Sequence, residues 1–249
     1  MKTIKAVLTL SLVLFLGTTH LNAQQAFQIH QDNVKPSKVG EYEKIAKEFH
    51  EASTTHNLQA SWITAMSDDF TYYYITPIEN FAELDKNPFA DMAEAMGDKF
   101  KDMFNRFDQC YSSHGSYIMH SIKDLSYPAP EGTDMSDQNY RKWFKLYYSP
   151  KNKAKLKEGM KAVKDMFAAK GSTNYYNVYH SGFGSMKSYF LVSVPAKDEI
   201  DSAQKTKANE EVLGPDRFET FNKVLNYVSK WEEETGWMRP DLHYSPKTE

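Results

Sequence analysis

A repeat in the middle of the chain is the feature that most limits what it can fold into. The segment TYYYITPIENFAELD, residues 71–85, returns as KSYFLVSVPAKDEID, residues 187–201. Both copies begin with aromatic and β-branched residues of the kind found in strands, and both lead through a proline into an acidic, helix-like tail. A repeat of this kind predicts two copies of one structural unit with the same order of elements.

An amphipathic helix is predicted ahead of each copy. Apolar residues recur there three and four positions apart, which is one face of a helix. They are Tyr42, Ile45, Phe49 and Ala52 in the first half and Leu156, Met160, Val163 and Phe167 in the second. We expect Asn57 and Gly171 to stop these helices in the left-handed conformation.

A strand hairpin and a second helix complete each half. ASWITAM (60–66) and YYNVYHS (175–181) each precede a short turn and the tyrosine-rich strand, which predicts a hairpin. The second helices are predicted from Phe100 to Tyr111 and from Phe218 to Val228, with ends near Gly115 and Gly236. Their last strands would be 116–122 and 237–242, and KTKANEEVLGPDR (205–217) would be a solvated loop and helix start.

With AFQIHQ (26–31) and KWFKLYY (142–148) as opening strands, each half has the order β-α-β-β-α-β, a ferredoxin-like unit. The fold class is therefore predicted as α+β. The domain prediction is a first module over 24–127, a proline-containing polar linker over 128–138 and a second module over 139–249.

The first 23 residues are predicted to be a secretory signal peptide. They combine two lysines, an apolar run from Ala6 to Leu16 and a small residue at Ala23. The apolar run is too short to cross a bilayer, so we expect cleavage and no later membrane contact. The expected location is the periplasm or the medium.

Charge and cysteine content narrow the class of protein further. Without the two lysines of the first 23 residues, 28 basic residues face 33 acidic ones, a net charge of −5. Such a surface argues against nucleic acid as a partner, because nucleic acid needs a basic face. Cys110 is the only cysteine, so an internal disulfide is excluded and the core must hold the fold together.

The repeated ferredoxin-like order and the strand with its FAELD or KDEID tail resemble the dimeric α/β-barrel superfamily. The resemblance implies that the two modules form one barrel within the chain, as a monomer with a pseudo-dimeric barrel or as a homodimer. Relatives of this kind include cofactor-free monooxygenases, isomerase-like proteins and haem-binding chlorite dismutase-like proteins. The family within the superfamily is left open by these residues.

Strand alternation predicts which side chains face the barrel interior. Phe27 and Ile29 are matched with Phe144 and Leu146 and assigned to the helix-covered face. Gln28 and Thr64 are assigned to the interior. The predicted ligand-binding residues, also placed inside, are His30, Trp62, Tyr73, Lys145, Tyr147, His180 and Tyr189, with Trp143 beside them. A one-residue error in register would invert each assignment.

Several functions remain compatible with this pattern. The leading hypothesis is binding of a small aromatic or apolar molecule without catalysis, because aromatic side chains suit such ligands. The alternatives are a cofactor-free monooxygenase or isomerase with His30 or His180 as acid or base, a haem-binding barrel, or a structural module. The cofactor is unknown. No metal site is predicted, because no HxH or HExxH spacing occurs.

Overall fold

The computed structural model describes residues 24–247, which form eight strands and six α-helices. The predicted signal peptide over 1–23 lies outside the described residues. The first half contains β1 (Ala26–Val34), α1 (Val39–Thr55), β2 (Ile63–Ser67), β3 (Thr71–Ile78), α2 (Ala90–Met96), α3 (Asp98–Cys110) and β4 (Tyr111–Ser121). The second half contains β5 (Tyr140–Tyr147), α4 (Lys153–Lys170), β6 (Asn177–Ser181), β7 (Tyr189–Ala196), α5 (Glu199–Leu213), α6 (Arg217–Leu225) and β8 (Lys230–Met238).

The strands form one closed antiparallel barrel in the order β1-β3-β2-β8-β5-β7-β6-β4. Each half contributes four neighbouring strands, and two seams join the halves. Residues 65–67 of β2 pair with 236–238 of β8, and residues 119–121 of β4 pair with 179–181 of β6. The predicted α+β fold with an intramolecular α/β barrel is confirmed, and a single chain completes it.

The helices cover the outside of the barrel. Among the described residues, none of the helices combines the length and apolar character needed to cross a bilayer.

Asn57 and Gly171 have positive φ angles of 45° and 64° after α1 and α4, as predicted for helix stops. Their left-handed backbone turns the chain from each helix towards the next strand.

Each half has two helices between its third and fourth strands, where one was predicted. In the second half the predicted loop over 205–217 is mostly the C-terminal part of α5. The Asp198 side chain caps that helix by accepting from the Asp201 N–H at 2.8 Å. Only Ser202 and Leu213 of α5 are buried, so the helix lacks the apolar stripe by which such segments are recognised.

The predicted ends of the second helices were wrong. α3 ends at Cys110 and Tyr111 already pairs with Val34 of β1, so Gly115 lies inside β4. α6 ends at Leu225, and the last strand is β8 and not 237–242. Gly236 lies within this strand. The position requires glycine because a Cβ there would lie 2.2 Å from the Met66 carbonyl oxygen across the seam.

The strand faces follow the prediction in β5 but not in β1. Trp143, Lys145 and Tyr147 face the interior, whereas Phe144 and Leu146 pack under the helices of the second half. In β1, however, Ile29 and its neighbour Phe27 face the interior. The predicted register of β1 was therefore wrong by one residue, and Gln28 and His30 face outward. They misled the prediction because they line a cavity, where polar residues replace the expected core residues.

Trp62, Thr64 and His180 were also predicted inside and also lie on the outer face. Trp62 packs with Leu58 and Tyr244, and its indole N–H donates to the Leu242 carbonyl at 3.0 Å. His180 lies against Phe190, with its ring centre 4.9 Å away. Trp62 precedes β2, and Thr64 and His180 lie in strands of only five residues, where two-residue periodicity gives a weak signal.

The barrel interior is filled by its own side chains. Glu234 accepts from the Tyr73 hydroxyl at 2.9 Å and from the Lys145 ammonium at 2.6 Å. Tyr147 donates to Glu232 at 2.6 Å. The remaining interior cavity has a volume of about 70 Å³, which is room for about two water molecules. Small-molecule pockets are usually about 300–1,000 Å³ in volume, so this interior cavity is smaller than the usual range.

The two halves differ in how closely their helices approach. A Cβ on Gly159 of α4 would lie only 2.2 Å from the Lys223 carbonyl oxygen of α6. Pro36 and Pro150 each begin a short 3-10 turn ahead of α1 and α4, and counted from them Ile45 occupies the position of Gly159. Ile45 is fully buried. Its side chain keeps the first-half helices apart where glycine lets the second-half helices touch.

Replacing Gly159 with alanine should therefore destabilise the protein. We expect Gly159→Ala to lower the free energy of unfolding by about 1–3 kcal/mol, as overpacked cores do. Gly40→Ala, in α1 with open space around it, should instead add a few tenths to about 1 kcal/mol. Urea unfolding measures both. A stabilising Gly159→Ala substitution would contradict the close approach of α4 and α6.

Candidate functional site

A cavity of about 700 Å³ lies outside the barrel in the first half. Its floor is the outer face of β1 and β3, and its sides are α1 and α3. The segment 83–89, between β3 and α2, covers part of it. This volume falls within the usual range of about 300–1,000 Å³ for small-molecule pockets.

The cavity exists because the first half has small or distant side chains where the second half has large ones. Ala46 of α1 lines the cavity. Counted from the same prolines, its counterpart in α4 is Met160, which is buried in the core of the second half. Phe144, Leu146 and Val192 fill the space under α4 and α6. The same architecture thus encloses a solid core in one half and a hollow in the other.

Aromatic rings form one wall of the cavity. Phe49 lies at its centre, 5.7 Å from Trp62, 5.6 Å from Phe89 and 5.8 Å from Phe104 between ring centres. Phe107 continues this wall towards the floor. Edge and tilted contacts hold these rings in place. The wall therefore presents a rigid apolar surface to a ligand.

Polar groups are concentrated at the floor, around Asp32 of β1. The Tyr42 hydroxyl donates to Asp32 Oδ2 at 2.5 Å and lies 2.9 Å from the Tyr74 hydroxyl. Burial, Tyr74 and the Asp32 carboxylate raise the pKa of Tyr42 well above its usual value. Burial also raises the pKa of Tyr74. The single O–H of Tyr42 donates to the carboxylate, so the hydrogen bond between the two hydroxyls is donated by Tyr74. The Tyr74 oxygen therefore retains acceptor capacity for a ligand.

His30 stands beside Asp32 on the same strand face. Its Nε2 lies 3.1 Å from Asp32 Oδ1, and its Nδ1 lies 3.0 Å from the Ser116 hydroxyl oxygen. His114 of β4 completes the group, with its ring centre 5.6 Å from that of His30. His114 is exposed and stacks on Tyr111, so this end of the cluster lies towards the solvent.

The predicted ligand-binding residues are thus divided between two places. Tyr73, Lys145, Tyr147 and Tyr189 face the packed barrel interior, and their ligand-binding role stays a prediction. His30 and Trp62 line the outer cavity. His180 lies in the second half, away from it, with its Nε2 2.6 Å from the Tyr148 hydroxyl.

Sequence reasoning missed Asp32, Tyr42, Tyr74 and His114 as site residues. A signal for part of the group exists, because H-x-D in a strand places both side chains on one face. Tyr42 was identified only as a helix core position. His114 could not be placed from the sequence, because only the pairing of β1 with β4 brings it next to Asp32. The two residues lie directly opposite one another in that pairing.

Comparisons with known proteins show the fold. No protein-family model matches the chain, and no curated protein matches it. Among solved structures, an anthrone oxidase-like protein is similar with a TM-score of 0.58 at 12% identity, covering 87% of this chain and 92% of that one. A proposed monooxygenase from Lactobacillus acidophilus NCFM has a TM-score of 0.52 at 12% identity, covering 86% and 94%. A mutant chlorite dismutase from Candidatus Nitrospira defluvii has a TM-score of 0.52 at 11% identity, covering 87% and 92%. The chain has the dimeric α/β-barrel fold of these proteins.

The environment of His180 generates a prediction about acid stability. Burial, followed by the charges of Lys153, His120 and Lys157, lowers the pKa of His180 to about 4. The unfolded chain takes up this proton near pH 6.5, so between pH 6.5 and 4 the unfolded state binds more protons and stability falls as the pH falls.

We expect His180→Gln to reduce this loss by up to about 2 kcal/mol, allowing for solvent screening of a partly exposed ring. Glutamine retains a group that can accept from Tyr148. His56→Gln, at the exposed end of α1, should keep the acid sensitivity of the wild type. Urea unfolding at pH 7, 5.5 and 4 measures the effect. Equal pH dependence of His180→Gln and wild type would refute it.

Proposed function

We propose that this α/β-barrel protein binds a small, flat, partly aromatic organic molecule in the outer cavity of its first half. The observation that carries the proposal is the combination of an aromatic wall with a polar cluster at one end of a cavity of about 700 Å³. Apolar walls supply most of the binding free energy of such ligands, and a few polar groups fix their orientation.

The polar cluster favours a ligand that carries a hydroxyl or carbonyl group. The Tyr74 oxygen can accept a hydrogen bond from a hydroxyl, because its own proton is directed to Tyr42. Phe49 and Phe107 can contact the rest of the molecule. A planar phenol or hydroxylated polycyclic compound meets both requirements. The similarity to an anthrone oxidase-like protein supports the same class of ligand.

A second candidate function is catalysis by proton transfer. His30 contacts the Ser116 hydroxyl through Nδ1, and its Nε2 lies 3.1 Å from Asp32 Oδ1. Histidine is the side chain best suited to act as a general base near neutral pH. It would take a proton from a phenol or from a carbon next to a carbonyl. The similar structures named as monooxygenases or oxidases are consistent with this role. His180, the other predicted acid or base, lies outside the cavity.

Haem is the cofactor that the resemblance implies for some relatives. The histidines of the cavity are not oriented to serve as its axial ligand. An axial histidine needs one ring nitrogen directed at the iron. In His30 one nitrogen contacts Ser116 and the other faces Asp32, and His114 is exposed beside Tyr111. No step of the proposed function therefore involves haem.

We also propose that the protein acts in the periplasm or outside the cell. The support is the pattern of the first 23 residues, with two lysines and a short apolar run. The buried single thiol of Cys110 is compatible with an oxidising compartment, because it needs no disulfide partner.

Filling the cavity should weaken ligand binding without unfolding the protein. Ala46→Met reproduces the side chain that α4 carries at the matching position, Met160. We expect it to weaken binding of 1,8-dihydroxyanthraquinone, a planar hydroxylated probe, at least tenfold, a loss of about 1.4 kcal/mol or more. Isothermal titration calorimetry measures the affinity.

The matched control is Ala154→Met, an exposed position of α4, which should bind the probe like the wild type. Unfolding midpoints of both variants verify the fold. Equal affinities of Ala46→Met and wild type would place the ligand elsewhere. No binding of hydroxylated polycyclic probes by the wild type would refute the proposal.

The proton-transfer role makes a separate prediction. If His30 is a general base, His30→Gln should slow the protein-dependent oxidation of anthrone by oxygen by about 10²–10⁴-fold. Oxygen uptake measures the rate, and His56→Gln serves as the control. A wild-type rate in His30→Gln, or no protein-dependent uptake at all, would remove catalysis at His30 while leaving ligand binding intact.

A further inference from the structure

We propose that His30, Asp32 and His114 form a binding site for a divalent transition-metal ion at the floor of the outer cavity. One ligand atom from each residue lies within 4.8 Å of the others. The proposal goes beyond ligand binding in the cavity and does not depend on it, since the ion alone can be titrated.

The barrel register brings the three side chains together. His30 and Asp32 are two residues apart on β1 and therefore share its outer face. His114 lies directly opposite Asp32 in the antiparallel pairing of β1 with β4. All three residues stand on paired strands, so the backbone fixes their spacing. A site built on rigid elements in this way holds its ligands in place before the ion arrives.

The separation of His30 and Asp32 matches that of two ligands of one ion. Zinc–nitrogen and zinc–oxygen bonds are about 2.0–2.2 Å long, so two ligands at 90–110° are about 3.0–3.5 Å apart. His30 Nε2 and Asp32 Oδ1 are 3.1 Å apart. At this distance the pair would form an ion pair if the imidazole were charged. The contact does not have hydrogen-bond geometry, and Oδ1 has no hydrogen-bond partner in the described part of the chain.

The oxygen without a hydrogen-bond partner is a second, independent observation that points to a cation site. Asp32 is only 5% exposed, and burying a carboxylate oxygen without a donor is unfavourable. Oδ2 already accepts from Tyr42. Oδ1 therefore needs a positive partner on the side of His30 and His114. A divalent ion supplies it and uses the nitrogens of both imidazoles.

The groups behind the ligands are arranged to orient them. Tyr42 holds one carboxylate oxygen of Asp32 and leaves the other for the ion. Ser116 lies 3.0 Å from His30 Nδ1, and a hydrogen bond there fixes the tautomer that presents Nε2. Metal-binding histidines usually have such a partner on their second nitrogen, and these supporting contacts tune the affinity.

The ligand set defines the class of ion. Two imidazole nitrogens beside one carboxylate suit Zn²⁺, Fe²⁺, Co²⁺ and Ni²⁺, whereas Ca²⁺ and Mg²⁺ prefer sites made of oxygen ligands. Three protein ligands leave coordination positions open. Because the cluster lines the outer cavity, these positions are available to a ligand bound against the aromatic wall.

A cobalt titration of the chelator-treated protein tests the site. We expect one equivalent of Co²⁺ to bind and to give visible d–d bands that excess Zn²⁺ removes. His114→Ala should weaken Co²⁺ binding more than tenfold. This residue is exposed, so its replacement should leave the fold intact. Tyr42→Phe, which keeps all three ligands, should weaken binding about tenfold through the loss of its contact to Asp32.

His56→Ala is the control, because it removes an exposed histidine outside the cluster and should bind Co²⁺ like the wild type. Failure of the wild type to bind one equivalent, or equal binding by His114→Ala and wild type, would overturn the site. The probe titration with Ala46→Met is made without metal, so the metal site and the organic-ligand proposal can fail separately.

Discussion

Closure of the barrel by two short seams is the constraint on which the rest of the structure depends. The strands of each seam pair three residues of one half with three of the other, and one further bridge continues each seam, Trp62 with Tyr244 and Tyr127 with Tyr176. Once they form, every strand has one face inside a closed space and one face that must be covered by helices. The interior has to be filled and its charges paired, as Lys145 and Glu234 are. A ligand site of useful size is then left for the outer face.

The outer faces of the two halves show how one architecture serves two purposes. Gly159 lets α4 contact α6, and Met160 fills the space beneath them. In the first half Ile45 and Ala46 occupy these positions, the helices stand apart, and Phe49 and Phe107 line a hollow. Removing apolar contacts lowers stability, so the hollow is tolerated because the barrel and the second-half core stabilise the chain. This divergence follows from a few side chains and not from a change in backbone order.

The sequence predicted the barrel because the repeat fixes the order of elements, and Asn57 and Gly171 mark equivalent helix ends. It did not predict the face of β1. Alternation there is read from polarity, and the outer residues of β1 are polar because they line the cavity. The site itself depends on contacts between residues far apart in sequence. Asp32 meets His114 only through strand pairing, and no local pattern contains that information.

Asp32 links the fold to the chemistry proposed for the cavity. Tyr42 ties it to α1, and the strand register sets it between His30 and His114. One of its oxygens is thereby satisfied within the fold, while the other is left to whatever cation occupies the cluster. A proton there makes His30 part of an acid–base pair, and a metal ion makes it a ligand, so the same nitrogen cannot serve both roles. In either case the charge lies next to the buried carboxylate of Asp32 at the floor of an aromatic pocket, where it can interact with the polar group of a bound molecule.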